Sequence, residues 1–274
     1  MNNKAIGVFD SGIGGLTVYK ALKERLPAEK VVYLGDTARL PYGSKSAETI
    51  IHFSQDNAGF LLTRDIKIIV VACNSASSHA IPHLQDKFDK IPVLGVIEPG
   101  AEAAVENSSG KIGVIGTTAT IMSGAYERAI LERKPDARII AKDCPLFVPL
   151  VEEGWANHHV TKLVAEEYLL PLKQAGIDSL VLGCTHYPVL KDVIAGVLGE
   201  GIRLIDSAET TARKVHTILK TLGWLSRIDN GREDEFYVTD FPDRFKKVGE
   251  IFLRRKIANV ATVDVCTMAK KTNV

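Results

Sequence analysis

Cys73 and Cys184 stand in matching surroundings. Ile68-Ile69-Val70-Val71-Ala72 precedes the first and Leu180-Val181-Leu182-Gly183 the second, and small polar residues follow each. A lone free cysteine is most often a small buried hydrophobe. Two at the same point of two similar strand-to-loop passages suit paired proton chemistry. Each precedes an expected helix N-terminus, whose dipole favours a thiolate by about 1–2 kcal/mol. At about 1.4 kcal/mol per pKa unit, that brings a thiol from about 8.5 to about 7–8 and no further. Additional acid–base groups are therefore expected, Asp10 on the side of Cys73 and His186 on that of Cys184. A carboxylate beside a thiolate opposes its ionisation, so Asp10 is expected to move protons more than to stabilise charge. Inverting a carbon centre requires a base on one face and an acid on the other, with the roles exchanged in reverse. The pair predicts a racemase or epimerase.

The elements that must hold these residues alternate regularly. Strands are expected at 5–9, 31–34, 66–72, 93–96, 111–116, 137–141, 180–183, 202–205, 235–238 and 260–263, with helical patterns between most of them. The segment 144–155 is read as a proline-punctuated loop, and Pro171 as a kink or end of the helix at 161–174. Strand–helix alternation is the signature of parallel sheets covered on both faces. Ile6-Gly7-Val8 is echoed by Ile112-Gly113-Val114, as Cys73 is by Cys184, which reads as an internal duplication. The expected fold class is α/β, with two pseudo-symmetric open parallel-sheet domains, Rossmann- or flavodoxin-like, and the site in the cleft between them. The part after residue 208 is too small for its own domain and is expected to complete the first sheet. Domain one is thus 1–97 plus 208–274, domain two 98–207, and 266–274 a frayed tail.

Ligands of open parallel sheets bind beyond the carboxyl ends of the strands. Asp10-Ser11, Asp36-Thr37, Cys73-Asn74-Ser75, Thr117-Thr118 and Cys184-Thr185-His186 all fall there. Their hydroxyls, amides and helix-start N–H groups suit carboxylates, with few large apolar residues, so the substrate is expected to be small, polar and anionic. A formal net charge of +1 gives no electrostatic case for nucleic acid or a membrane surface. No apolar run approaches the ~20 residues of a membrane span, no secretory leader is apparent, and four cysteines do not make a disulfide framework. A cytoplasmic protein is expected. Two other chemistries compete. Gly12-x-Gly14 followed by Asp36 resembles a dinucleotide turn, but Thr17 holds the third glycine position and Asp10 would face the pyrophosphate. His79 and His83, with Cys73, Cys184 and His186, suggest zinc without any zinc-site spacing. A periplasmic-type binding module would share the cleft but has no use for two thiols. His52, His158, His159 and His216 are read as structural or solvated, and Cys144, Cys266, Trp155 and Trp224 as having no chemical role.

The segments Asp10-Ser11-Gly12-Ile13-Gly14-Gly15-Leu16-Thr17, Pro41-Tyr42-Gly43, Ala72-Cys73-Asn74-Ser75-Ala76, Pro149-Leu150-Val151-Glu152 and Gly183-Cys184-Thr185-His186-Tyr187-Pro188 occur in that order. Together they resemble glutamate racemases, of the aspartate/glutamate racemase superfamily. The resemblance implies cofactor-independent, metal-free conversion of L- to D-glutamate for peptidoglycan synthesis. It implies Cys73 and Cys184 as the acid–base pair, Asp10 assisting the first, and Glu152 with His186 assisting the second. Glu153 is adjacent, and Glu152 is favoured over it. Asp10, Ser11, Tyr42, Gly43, Asn74, Ser75, Thr185 and His186 match substrate-binding positions, with Thr117, Thr118 and Thr120 as interchangeable further contacts. Ser75 departs from the family's usual threonine but keeps the hydroxyl. The implied partner is glutamate alone, with a homodimer as the assembly considered. Aspartate racemase is the alternative.

Overall fold

A computed structural model describes residues 3–226 and 233–266. Positions 267–274 of the expected tail lie outside the described residues. In chain order the elements are β1 (Ala5–Asp10), α1 (Leu16–Arg25), β2 (Val31–Gly35), α2 (Ala47–Leu62), β3 (Ile66–Val71), α3 (Asn74–Lys87), β4 (Val93–Gly95) and α4 (Ile97–Glu106). Then follow β5 (Lys111–Gly116), α5 (Thr118–Met122), α6 (Ala125–Arg133), β6 (Arg138–Asp143), α7 (Phe147–Glu152), α8 (His159–Gln174), β7 (Ser179–Gly183), α9 (Lys191–Leu198) and β8 (Arg203–Asp206). The chain continues through α10 (Ser207–Thr221), β9 (Glu235–Val238), α11 (Pro242–Leu253) and β10 (Ala261–Thr262).

Two sheets result, one ordered β10-β9-β2-β1-β3-β4 and the other β6-β5-β7-β8. Every strand pair in both is parallel. The central strands β1, β3 and β7 are buried along their whole length, which is why they read as unbroken apolar runs rather than alternations. Within each sheet the first four strands of that unit run second, first, third, fourth. That order reverses direction between its first and third strands, and the crevice at such a reversal is where ligands of this architecture bind. Asp10 and Cys73 leave the reversal of the first sheet, and Thr117 and Cys184 that of the second. The pseudo-symmetry read from two echoed motifs is thus a shared strand order. After β8 the chain returns to the first sheet, where β9 pairs with β2 and β10 with β9.

One apolar cluster joins the two sheets. It runs from Ile6, Val8 and Val70 through Leu16, Leu22, Val215 and Phe245 to Phe147, Leu182 and Tyr187. Among the described residues no helix is long and apolar enough to cross a membrane. Three local expectations change. The segment 144–155 contains the helix α7, because Pro149 stands within its first turn, where no intrahelical N–H bond is lost. Pro171 lies inside α8 without ending it. Trp155, which sequence reading makes a packing residue rather than a chemical one, is 45% exposed and lies against the His158 ring.

Candidate active site

The loops at the two reversals meet through glycines. A Cβ on Gly14 would overlap Thr185 Oγ1 and the His186 ring, so only glycine lets the turn after β1 press against the turn after β7. Thr17 Oγ1 continues that contact, donating to the carbonyls of Gly14 at 3.0 Å and Thr185 at 3.3 Å. On the other side, a Cβ on Gly43 would come within 2.7 Å of Thr117 Cβ. Between these approaches lies a cavity of about 160 Å³. Cys73 and Cys184 both line it, together with Ser11, Tyr42, Gly43, Asn74, Ser75, Thr117, Thr118, Glu152, Thr185 and His186.

Cys73 is the N-cap residue of α3, as a thiolate-favouring position requires, but it is only 5% exposed. Burial first and the Asp10 charge second push its thiol up to about 12, against the opposing help of the Ala76 N–H and Ser11. The expected helix-assisted fall to 7–8 is overturned for this residue, since loss of hydration outweighs one helix end. Its Sγ lies 3.6 Å from Ser11 Oγ. Asp10 lies behind this pair, wholly buried and outside the cavity wall, with Oδ2 accepting from the Gly12 N–H at 2.9 Å. Its Oδ1 is buried without a partner. Burial raises its pKa, although His186 and the N–H groups of the glycine turn pull the other way.

Cys184 is backed differently. Its strand leads into a short 3-10 turn, Tyr187–Leu190, and α9 begins only at Lys191, so the expected helix N-terminus does not stand at the sulfur. A histidine takes that place. His186 Nδ1 is 3.9 Å from Cys184 Sγ, and Nε2 is 3.1 Å from Glu152 Oε1. Burial disfavours the imidazolium, but the hydrogen bonds and charges of Cys184 and Glu152 prevail and raise the ring to about 10. Glu152 is held below the usual carboxylate range. Its burial acts the other way and is outweighed by His186 and then Arg244. Arg244, from α11, donates to Glu152 Oε2 at 3.3 Å and lies 3.7 Å from Glu153. Glu152, not Glu153, is therefore the partner of His186.

Hydroxyls and amides make up the remaining wall. Ser75 Oγ lies 2.9 Å from Thr117 Oγ1, and Thr120 Oγ1 lies 3.0 Å from Thr117 and 3.4 Å from Ser75. Thr120 is buried behind them and does not reach the cavity, while Thr118 lines it with its hydroxyl turned to Asp143 at 3.1 Å. Tyr42 lines the cavity. Its hydroxyl bonds Asp36 and accepts from Asn57 at 3.0 Å. Asn74 Oδ1 accepts from the Tyr126 hydroxyl at 2.8 Å, and its Nδ2 is buried with no partner. The expectation of few apolar residues fails at the mouth, which Leu40, Pro41, Pro145, Val148 and Pro149 line.

The competing chemistries lose their residues. Gly14 is occupied by Thr185 and His186, and Asp36 is bound by Arg39 at 2.7 Å, Thr239 at 3.0 Å and Tyr42, so neither is free for a dinucleotide. His79 is half-buried with Nε2 3.3 Å from the Ala119 carbonyl, and His83 is exposed. No group of three metal-ligating side chains suited to an ion occurs among the described residues. Arg244 and Tyr126 were not legible as site residues, since each acts from a distant helix with no motif of its own.

Comparison with known proteins bears on these residues together. The family model described as Asp/Glu/Hydantoin racemase matches residues 6–215. A glutamate racemase of Geobacter metallireducens is 51% identical over 263 residues, 96% of this chain and 97% of that protein. The glutamate racemase of Francisella tularensis subsp. tularensis SCHU S4, solved in complex with D-glutamate, superposes with a TM-score of 0.92 at 40% identity, covering 97% of this chain and 100% of that one. That of Thermus thermophilus, solved with beta-chloro-D-alanine, gives 0.86 at 47% identity, covering 96% and 98%.

Proposed function

The chain belongs to the Asp/Glu/hydantoin racemase family, and on that premise we propose that it interconverts L- and D-glutamate using Cys73 and Cys184 as opposed acid and base. The observation that carries this reading is that thiols from two different sheets line one small cavity, each with its own proton partners. The two thiols are prepared unequally. Cys73, with its proton affinity raised by burial and Asp10, holds its proton. Cys184 stands beside an imidazolium, the partner a thiolate requires. One turnover moves the substrate's α-proton to Cys184, while Cys73 delivers its proton to the opposite face of the carbanion. The C–H electron pair remains on carbon, and a new C–H bond forms on the other side. The thiols then stand in exchanged states, ready for the reverse reaction. His186 and Glu152 hold the charge at Cys184, and Ser11 and Asp10 take part in the proton changes at Cys73.

Asn74 lines the cavity and its Nδ2 is buried without a partner, which supports a substrate carboxylate as the missing acceptor, since a buried amide donor left unpaired costs about 1–3 kcal/mol. The glutamate racemases that the chain resembles support glutamate as the substrate, and family membership supports a D-glutamate product used in cytoplasmic peptidoglycan synthesis. The test is a chirality assay on metal-chelated protein without added cofactor, with both enantiomers of glutamate and aspartate side by side. Glutamate should approach equal amounts of both forms from either side. Preference for aspartate would overturn the substrate assignment and leave the two-thiol chemistry standing.

A further inference from the structure

Tyr126 sits where the two walls meet, and nothing in the racemisation chemistry above uses it. It belongs to α6, in the second unit, yet its hydroxyl donates at 2.8 Å to Asn74 Oδ1, on the first residue of α3 in the first. Both residues are 2% exposed. The ring is clamped between two glycines. A Cβ on Gly100 would stand 3.1 Å from its Cε1 and its hydroxyl, and one on Gly183 3.1 Å from its Cε2. Gly183 is the residue immediately before Cys184. Burial raises the pKa of the hydroxyl, so it stays protonated and remains a donor.

A side-chain amide has an acceptor end and a donor end. A donor on Oδ1 leaves Nδ2 as the free end, and Nδ2 is buried without a partner on a residue that lines the cavity. We propose that Tyr126 is a positioning residue that orients the Asn74 amide, so that its N–H groups face the substrate carboxylate. Through Tyr126 the second wall sets the substrate grip of the first, and the same ring braces the strand end that carries Cys184. This inference rests on the glutamate reading above.

The test is a double-mutant cycle with Tyr126→Phe and Asn74→Ala, read by KM and kcat in both directions and by calorimetric binding of D-glutamate. Tyr126→Phe keeps the ring between its glycines and removes the hydroxyl, with its donation to Asn74 and its contact with Ser207, and the Asn74→Ala background separates the two. Tyr126→Phe should raise KM and weaken D-glutamate binding about three- to tenfold, with kcat within about twofold of wild type. In the Asn74→Ala background the same change should add less than about 1.5-fold, since the amide it orients is gone. Gly100→Ala reaches the same hydroxyl without altering the tyrosine. It should raise KM about two- to threefold, again only while Asn74 is present. Additive effects in the cycle, or a fall in kcat at unchanged KM and binding, would overturn the role of Tyr126. Absence of glutamate turnover in the wild type would overturn the glutamate reading and this inference with it, whereas turnover with additive effects overturns this inference alone.

Discussion

At the scale of single residues, the proposed chemistry depends on how differently the two thiols are kept. Loss of hydration and a neighbouring carboxyl make Cys73 a proton holder. The line His186–Glu152–Arg244 keeps a positive charge beside Cys184. Glu152→Gln removes the negative end of that line. The alkaline limb of kcat/KM, set near pH 10 by loss of the His186 proton, should then move about one unit towards neutrality. An unmoved limb in pH–rate profiles would show that His186 does not set it. The same pair contributes to stability. The pKa of His186 is raised in the folded state, so its contribution is complete below 6.5 and is lost as pH rises through about 10. That of Glu152 is lowered, so its contribution is present above 4.5 and lost as pH falls through the folded value. The difference in melting temperature between wild type and Glu152→Gln should therefore be widest between about pH 4.5 and 6.5 and should shrink steadily towards pH 10. The cysteines, Asp10 and His186 were legible in sequence because they stand just at or after the carboxyl ends of strands. The rise in the Cys73 thiol was not, because it comes from burial that only the closed cleft supplies.

Elements decide which of the motif residues face the cavity. Gly14 read as part of a dinucleotide turn, yet the structure uses its missing side chain to seat Thr185 and His186. Gly14→Ala should separate the two turns, destabilise the fold by about 1–3 kcal/mol and cost activity out of proportion to that loss. Thermal melts alongside turnover check this. Tyr42 matched a substrate position by motif, but the loop before α2 turns its hydroxyl into the Asp36–Arg39–Asn57 network. Tyr42→Phe should lower stability by about 1–2 kcal/mol and leave KM for glutamate within about twofold, a split read from denaturation and kinetics. The helix α7 was hidden by Pro145 and Pro149, which mark a loop in sequence although a first helical turn tolerates proline. Arg244 could not be foreseen, because only the folded position of α11, packed on α1, brings it to Glu152. Its side chain is 54% exposed, so Arg244→Gln should change turnover by no more than about threefold, and less at high salt.

On the scale of the whole molecule, function follows from one topology used twice. Each unit reverses strand order between its first and third strands, and each reversal delivers a cysteine and a polar turn to the same side. The duplication was visible in two pairs of echoed motifs, and strand–helix alternation gave the parallel sheets. The return of β9 and β10 to the first sheet followed from their number, too few for a core of their own. The proposed domain crossings, near residues 97 and 208, lie at the starts of α4 and α10, which pack on each other. The proposed chemistry makes a strong demand of such a molecule: under the two-thiol proposal neither wall can invert a stereocentre alone. The most direct measurement is racemisation of L- and of D-glutamate by Cys73→Ser and Cys184→Ser, each shown by circular dichroism to be folded. Both variants should lose at least about 10³-fold in turnover in both directions. Wild-type turnover in both directions by either variant would contradict the two-thiol account.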